Sequence, residues 1–383
     1  MLFRSLSMAR FFAMTSRGLT DVLFDEVSKL GVSKVLKGQG GVFFESNWAG
    51  CYRANLRLRT ATRVLLPILD FPAYNPEELY NNILKHDFTK YIEVGQTLAV
   101  DASIRECGIF RDQRFVAMKI KDAIVDQFSE KFGSRPDVDS KNPDLTIAVR
   151  AVKNQFSISI DTSGEPLFKR GYKQLKMVPA PLKEHMAAGL IMATGWNRDI
   201  PVIDPMCGGG TFLIEAALIA LNIYPGTLRK RFAFQNFLGF KEEEFAEELE
   251  NAMSEELDGL PFKFYGYDQD RDAVKIALAN VHAAGLEEYI EIERGPIETL
   301  KAPVPIGLLV TNPPYGERLS TKDELEELYL NMAHTLKTEF KKWDCWILSG
   351  EPELTKFMKL KAERKFPVFN GPIECRFLKY NMF

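Results

Sequence analysis

The sequence predicts an α/β protein whose two halves are organised differently. Strands alternate regularly with helices from about residue 201 onward, strands and helices mix without that rhythm before residue 161, and a basic, proline-containing stretch separates the two parts. Regular alternation is typical of a parallel sheet covered by helices, whereas irregular mixing is typical of smaller α+β units. With 383 residues, 46% of them apolar, the chain is long enough for two to three domains.

The first half contains four predicted strands and two predicted helices. Apolar or alternating runs place strands at 42–44, 98–103, 145–152 and 155–160, and helical spacing places helices at 21–30 and 114–132. Gly31 and Gly133 follow the two helices, as glycine often does at a helix end. We therefore expect small α+β units in this half, not one parallel sheet.

The second half follows a stretch, residues 166–183, that has five basic residues, three prolines and no acidic residue. This stretch is typical of a linker, and it divides the chain into residues 1–165, 166–182 and 183–383. Strands are then predicted at 201–204, 262–267, 306–311 and 343–349, each followed by a helix, at 211–221, 270–284, 322–340 and 352–360. This order predicts a doubly wound parallel sheet, closed by an antiparallel hairpin at 365–370 and 374–380.

The formal net charge of −3 excludes a uniformly cationic surface, so any contact with nucleic acid must come from local patches. One candidate is a run without acidic residues between Ser46 and Leu69, which contains Arg53, Arg57, Arg59 and Arg63. The alternative is that these arginines pair with distant acids.

A second candidate patch lies in an insertion, residues 224–260, that interrupts the alternation. Its front part interleaves Arg229–Arg231 and Lys241 with four phenylalanines, and its back part, residues 242–258, has nine acidic residues and no basic one. The aromatic front either binds nucleic acid or packs as a lid on the core. The acidic back is interpreted as a solvated helix face.

Cysteines and apolar runs indicate the compartment. The five cysteines are scattered, without a CxxC pair, which is typical of a reducing cytosol and argues against a structural zinc site. The four histidines have no metal-ligand spacing, and no apolar run approaches the ~18 residues that span a bilayer. We expect a cytoplasmic protein without a metal centre and without a membrane segment.

A glycine-rich turn follows the first strand of the second half. Three consecutive glycines, Gly208–Gly210, separate Asp204 from the helix that begins at Thr211. Glycines let a ligand lie against the backbone at the edge of the sheet. The turn lacks both the GxGxxG spacing and the GK[ST] of phosphate-binding loops, which favours a ligand without pyrophosphate, although a plain tight turn is the alternative.

Two further strand ends carry polar residues. Asp268 ends the second strand, where an acidic side chain can accept hydrogen bonds from ribose hydroxyls, and Asp270 is expected to cap the next helix. Asn312-Pro313-Pro314-Tyr315 ends the third. The prolines stiffen the backbone and remove two donors, so Asn312 and the adjacent carbonyls offer acceptors to an amino group. Tyr315 offers a flat face to a planar ring.

The chain resembles a known family at these motifs and across the first half. DPMCGGGTFLIEAAL, GYDQD and TNPPYGERL are similar to the S-adenosylmethionine (AdoMet) and catalytic motifs of Rossmann-like amino-methyltransferases. GLTDVLFDEVSKLG, RANLRLRTATRVLL and FKRGYK…APLKEHMAAGL look like bacterial THUMP-domain RNA guanine-N2 methyltransferases of the large-subunit rRNA type. The resemblance covers nearly the whole chain.

What the resemblance implies can be stated residue by residue. It implies a Rossmann-like seven-stranded methyltransferase domain behind a ferredoxin-like and THUMP RNA-binding region. It implies that Asp204, Gly208 and Gly210 line the AdoMet pocket, that Asp268 holds the ribose, and that Asn312, Pro313 and Tyr315 bind the target base. The chain departs from the family pattern where an acidic residue often touches the adenine, because it has Arg294-Gly-Pro-Ile-Glu298 there.

The expected activity is transfer of a methyl group from AdoMet to the exocyclic N2 amine of a guanine in 23S rRNA. A tRNA guanine is the nearest alternative substrate. Methylation of adenine or of a protein glutamine is a second alternative, since NPPY occurs with all three amines. A catalytically silent RNA-binding assembly factor is a third, and intact glycine and NPPY motifs argue against it.

Overall fold

The structure, a computed structural model, describes residues 8–173, 175, 182–314 and 321–382. Its first half contains, in chain order, β1 (Ala9–Met14), α1 (Thr20–Ser28), β2 (Ser33–Gly38), β3 (Gly41–Ser46), α2 (Trp48–Arg57), β4 (Arg63–Pro72), α3 (Pro76–Leu84), β5 (Thr97–Arg105), α4 (Gln113–Phe132), β6 (Asp137–Val138), β7 (Leu145–Val152) and β8 (Gln155–Asp161).

The strands of the first half form one eight-stranded sheet in the order β2-β3-β1-β4-β8-β7-β5-β6. β5 runs parallel to β6 and β7, and the other neighbours are antiparallel. The predicted α+β character is confirmed, but the two expected units share a continuous sheet. Along β1 and β3 the alternate residues, such as Phe11 and Phe44, pack against α1 and α2 in the buried core.

The second half contains α5 (Glu184–Thr194), β9 (Val202–Asp204), α6 (Thr211–Ala220), α7 (Glu242–Ser254), β10 (Phe264–Asp268), α8 (Arg271–Ala283), β11 (Ile290–Arg294), β12 (Leu308–Thr311), α9 (Lys322–Glu339), β13 (Asp344–Ser349), α10 (Leu354–Phe357), β14 (Arg364–Asn370) and β15 (Ile373–Asn381). Their sheet has the order β11-β10-β9-β12-β13-β15-β14. The first five strands of that order are parallel, and β15 is antiparallel to both neighbours. The predicted doubly wound sheet and closing hairpin are confirmed.

Local sequence signals explain several helix ends. Gly133 ends α4 with a φ of 66°, a left-handed conformation that glycine adopts without strain. The Asp270 side chain accepts a hydrogen bond from the Asp272 amide at the start of α8, as predicted for a capping residue. β4 contains Pro67, which is tolerated because the pairing with β8 shifts register between Pro67 and Leu69.

The run of arginines does not face solvent as a phosphate-binding surface. Arg53 forms a two-pronged ion pair with Glu248 of α7, and Arg57 pairs with Glu255 at 2.7 Å. Arg59 is 5% exposed and donates to the Ile223 carbonyl, while Arg63 binds Asp161. The phosphate-binding interpretation is therefore wrong, and the alternative, pairing with distant acids, holds for Arg53, Arg57 and Arg63.

The aromatic front of the insertion is buried and does not offer a surface for stacking bases. Phe232, Phe234 and Phe237 are each at most 5% exposed and belong to the core of the first half. Arg229 donates to three backbone carbonyls, at Glu165, Pro166 and Lys169. The aromatic segment thus fastens the second half onto the first, and the acidic helix α7 adds the contacts to Arg53 and Arg57 described above.

The turn after β1 forms another junction, with the closing hairpin. The Phe369 amide donates to the Arg17 carbonyl at 3.1 Å, and the Arg17 guanidinium lies over the Phe369 ring. Gly18 has a φ of 98°, and a Cβ there would lie 2.5 Å from the Pro367 carbonyl oxygen. Only glycine fits this close contact between the two halves.

Part of the segment predicted as a linker is packed in the protein interior. Leu167, Arg170 and Tyr172 are at most 2% exposed. All five cysteines are buried and free. In the described ranges, none of the helices combines the length and apolar character needed to cross a membrane.

Candidate functional site

The carboxyl ends of three neighbouring strands bring predicted site residues to one edge of the second sheet. β9 lies between β10 and β12 and is parallel to both. Asp204 ends β9, Asp268 ends β10, and Asn312 directly follows β12. Because the connection order reverses at β9, a crevice for a ligand is expected at this edge.

The glycine turn wraps over the end of β9. The Cys207 amide donates to the Tyr267 carbonyl of β10, and the Gly210 amide donates back to the Cys207 carbonyl, both at 2.8 Å. Gly208 and Gly210 have φ values of 53° and 76°, which favour glycine. No atom of the described residues lies within 4 Å of a Cβ built on Gly208, so this residue borders open space.

Asp268 holds the glycine turn in place. Its two carboxylate oxygens accept hydrogen bonds from the Gly208 and Asp270 amides, each at 2.9 Å. Burial raises the pKa of Asp268, and the two amides act in the opposite direction. Each oxygen has a second lone pair, so the carboxylate can still accept hydrogen bonds from a ligand.

Asp204 lies beneath the turn and is 2% exposed. One carboxylate oxygen accepts a hydrogen bond from the Met206 amide at 3.2 Å. Burial raises the pKa of Asp204 to about 7, against the opposing influence of Thr311 and the Met206 amide, and the nearby Asp268 charge adds to the rise. Through its hydrogen bond with the Met206 amide, the Asp204 carboxyl group orders the start of the turn.

Asn312 carries an acceptor that no described residue satisfies. Its Oδ1 atom is shielded from solvent and lacks a hydrogen-bond partner within residues 8–173, 175, 182–314 and 321–382. A buried polar atom without a partner costs ~1–3 kcal/mol, so this acceptor at the strand end can gain from a hydrogen bond with a ligand. Pro313 beside it is buried. Tyr315 lies outside the described residues.

Sequence reasoning missed Asn280 of α8, which supports the same turn. Its side-chain amide donates to the Gly209 carbonyl at 2.8 Å, and the residue is 1% exposed. Helical spacing could have found it, since Ala273, Ala277 and Asn280 follow one another on the buried face of the helix. A polar residue at a predicted core position is informative.

The segment that departs from the family pattern is engaged in local contacts. Arg294 donates to the Gln269 carbonyl at 3.0 Å, and Glu298 accepts from the side chain of Asn331 at 3.2 Å. The Gly295 amide donates to the Asp268 carbonyl, which joins this segment to the end of β10. In the described part of the chain, no cluster of three or more His, Cys, Asp or Glu side chains is arranged to hold a metal ion.

The assembled site therefore combines two features. A glycine turn, held by Asp268 and Asn280, borders open space at the reversal point of the sheet. On the neighbouring strand, Asn312 offers an unsatisfied oxygen. This arrangement can hold a nucleoside-like ligand on one side and accept hydrogen bonds from an amino group on the other.

Family models match both halves of the chain. The model described as the RMKL-like methyltransferase domain matches residues 170–379. A THUMP domain model matches residues 73–161, and a RlmL ferredoxin-like domain model matches residues 10–65.

Relatives and solved structures match over nearly the full chain. It is 38% identical, over 97% of its length, to the ribosomal RNA large subunit methyltransferase K/L of Syntrophotalea carbinolica, and it spans 53%, about half, of that longer relative. It is 34% identical to slr0064 of Synechocystis sp., which carries the name of an RNA methyltransferase, with 97% of both chains covered. The solved structure of SMU.472 complexed with SAH has a TM-score of 0.90 at 30% identity, with 98% of this chain and 99% of that chain covered.

These matches and the strand order agree with each other, because the model of the methyltransferase domain covers the seven-stranded sheet that carries the site. The chain belongs to the RMKL-like methyltransferase family, with a ferredoxin-like domain and a THUMP domain preceding its methyltransferase domain.

Proposed function

We propose that the protein is an AdoMet-dependent RNA methyltransferase that modifies the exocyclic N2 amine of a guanine in 23S rRNA. The observation that carries this proposal is the orphaned Oδ1 atom of Asn312 next to the open glycine turn. The proposal is supported by family membership and by the name of the 38% identical relative.

The cofactor residues that we propose are Asp204, Gly208, Gly210 and Asp268. The open space at Gly208 can accommodate AdoMet, and the remaining lone pairs of Asp268 suit ribose hydroxyls. Asp204 contributes by ordering the turn from below. When bound, AdoMet supplies an electrophilic methyl group on a sulfonium.

The base-binding residues that we propose are Asn312, Pro313 and Tyr315. A guanine N2 amine is a weak nucleophile because its lone pair is delocalised into the ring. Asn312 Oδ1 and the Pro313 carbonyl accept hydrogen bonds from its N–H groups and hold the amine in line for attack, so catalysis rests on positioning and electrostatics. The N–CH3 bond forms as the S–CH3 bond breaks, and the surplus amine proton leaves to solvent. Tyr315 stacks on the ring. The target base must leave its helical stack first, at a cost of a few kcal/mol.

We propose a separate role for each of three segments of the chain. Residues 1–165 bind RNA, residues 166–182 connect the halves, and residues 183–383 carry the chemistry. The THUMP and ferredoxin-like matches support an RNA-binding role for the first part.

The test is methylation of unmodified large-subunit rRNA and of tRNA by the purified protein, with nucleoside mass spectrometry and mapping of the modified position. We expect N2-methylguanosine in 23S rRNA. Product in tRNA alone, or methylation of adenine, would contradict the proposed substrate. Undetectable AdoMet binding by calorimetry would favour the silent assembly factor.

Two variants test the site itself. Asn312→Ala is expected to reduce methyl transfer by about 100-fold or more, because a positioned polar group at a reacting centre typically contributes this much, while AdoMet binding is retained. Asp268→Ala is expected to weaken AdoMet binding by about tenfold or more. Asn251→Ala and Asp272→Ala, at exposed positions of α7 and α8, are the matched controls and should behave like the parent.

A further inference from the structure

Strands β2, β3, β1 and β4, which form one end of the first sheet, have an open face that carries aromatic side chains. Helices α1 and α2 pack against the face that contains Phe11 and Phe44. On the opposite face Phe12 of β1 and Phe43 of β3 are directly paired, with ring centroids 4.5 Å apart. Both rings are partly exposed. In the described part of the chain, neither ring belongs to a hydrophobic core.

Neighbouring residues keep this aromatic pair accessible. A Cβ on Gly38 would lie 2.7 Å from the Phe43 ring, so the glycine leaves room for it. Leu36, which pairs with Phe43 from the edge strand β2, is 57% exposed. The face therefore presents planar rings and an apolar flank, and among the described residues no helix packs on it.

The sheet bends toward this face. Arg150 of β7 donates to the side chain of Gln39, in the turn between β2 and β3, at 2.8 Å. Three strands, β1, β4 and β8, separate β7 from β3, and a flat sheet would hold them about 19 Å apart. The contact therefore requires the sheet to twist and curl so that β7 and the turn between β2 and β3 approach each other over the open face.

This face carries Arg10 and Arg150, together with two exposed acids, Asp70 and Asp101. Arg10 lies over the Phe43 ring at 4.1 Å from its centroid, and Arg150 contacts Gln39, which follows Gly38, the glycine packed against both rings. Within the described ranges, neither arginine has an acidic partner. Glu45, the acid that pairs with Arg10 across the strands, is already bound by Lys34 at 2.8 Å. Both arginines are therefore available for contacts to phosphates.

We propose that this open face binds a single-stranded segment of RNA, with Phe12 and Phe43 stacking on bases and Arg10 and Arg150 contacting the flanking phosphates. Aromatic side chains on the open face of a four-stranded sheet are a general way to bind unpaired bases, since every base has a flat π-face. The proposal rests on the proposed function, because it assumes an RNA substrate. This face takes the place of the two RNA-binding surfaces that the sequence predicts. The arginine run is excluded because Arg53 is paired internally, and the aromatic insertion is excluded because Phe234 is buried.

The test measures binding of the full-length protein to a fluorescently labelled single-stranded oligoribonucleotide of mixed sequence, and to the same strand annealed to its complement. Phe12→Leu and Phe43→Leu keep the apolar volume and remove the ring. Each is expected to weaken single-strand binding about tenfold, in line with measured stacking on aromatics, with AdoMet affinity unchanged. Phe132→Leu, at a 50% exposed position at the end of α4, is the matched control.

Two further measurements keep the test independent of folding defects. Arg10→Gln and Arg150→Gln should each reduce the salt dependence of binding by about 0.7 in the slope of log affinity against log salt. Ultraviolet cross-linking of the parent to the same oligonucleotide should label peptides that contain Phe12 or Phe43.

The inference is overturned if both leucine variants bind the single strand as tightly as the parent, or if cross-links fall elsewhere. It is also overturned if sedimentation shows that the parent self-associates through this face and that the leucine variants dissociate it. If the parent methylates 23S rRNA and both leucine variants methylate it equally well, this inference is contradicted and the proposed function is not. A parent that binds single strands through this face but does not bind AdoMet would contradict the proposed function alone.

Discussion

Arg170 and Glu215 form an ion pair at 3.5 Å in which both side chains are completely excluded from solvent. Arg170 also donates to the Leu167 and Arg59 carbonyls, and the Tyr172 hydroxyl donates to Glu215 at 3.0 Å. Glu215 belongs to α6, the helix that begins directly after the glycine turn. The pair therefore connects the first half, the segment 166–182 and the candidate cofactor site.

Removing one partner of this pair is expected to destabilise the protein strongly. Arg170→Met leaves the Glu215 carboxylate buried without its cation, and loss of one partner of a buried pair typically costs ~3–5 kcal/mol. Chemical denaturation monitors this change. Lys169→Met is the control, because the Lys169–Glu165 pair is more than half exposed and should contribute less than ~1 kcal/mol. Equal effects of the two substitutions would contradict this account.

Arg53 is expected to contribute to stability and not to RNA binding. Glu248 binds its Nε and Nη2 atoms, and Nη1 donates to the Leu30 carbonyl at 2.7 Å, so the guanidinium has no free fork for a phosphate. Arg53→Met should lower the free energy of unfolding and leave the salt dependence of RNA affinity unchanged. A phosphate contact would instead reduce the slope of log affinity against log salt by about 0.7–0.9. A slope reduced in this way would restore the phosphate-binding interpretation.

His185 is expected to make stability fall at mildly acidic pH. It is 1% exposed, its Nε2 atom is 2.7 Å from the Ser16 hydroxyl, and burial together with the charges of Arg170, Lys183 and Lys173 lowers its pKa to about 3. In the unfolded chain histidine titrates near 6.5, so as the pH falls below that value the unfolded state takes up the proton first.

This stabilisation is complete above pH 6.5 and declines as the pH falls toward the folded-state pKa. Between pH 7 and pH 5 the group should remove ~2 kcal/mol from the free energy of unfolding. His185→Gln cannot titrate, so denaturation curves of this variant should change less between the two pH values. His334→Gln, at an exposed position of α9, should keep the parent's pH dependence. An unchanged slope for His185→Gln would exclude this histidine as the cause.

Asn280 is expected to support cofactor binding indirectly. Asn280→Ala leaves the Gly209 carbonyl without its side-chain donor, which typically costs ~1–3 kcal/mol. Because the turn is then less ordered, AdoMet affinity should fall about tenfold while RNA affinity stays the same. Calorimetry measures both. Leu278→Ala, at a 47% exposed position of the same helix, is the control, and equal AdoMet affinities for the two variants would remove Asn280 from the site.

Much of the second half could be predicted because its signals are local. Strand alternation, the three glycines and the cap at Asp270 are all read within a few residues. The first half was harder. β7 was predicted with its observed bounds, whereas β1 and β4 were missed: β1 is rich in aromatic residues close to the start of the chain, and β4 contains Pro67 and Pro72, which normally argue against a strand.

The roles of the arginines could not be predicted for a different reason. Arg53 meets Glu248, 195 positions later in the chain, and Arg170 meets Glu215 only because two domains pack together. A run of basic residues is visible in the sequence, but the acids that pair with those residues are determined by tertiary packing. The site residues stay predictions, although their placement at one sheet edge followed from the rule for strand ends in parallel sheets.

The contact of Gly18 with Pro367 has a consequence for protein synthesis. The turn at Arg17 and Gly18 cannot complete its docking until the ribosome has released the segment around Phe369, which lies far later in the chain. During translation, therefore, the early sheet can form while its seam with the late hairpin is still open, and that seam is a natural place for a chaperone to act.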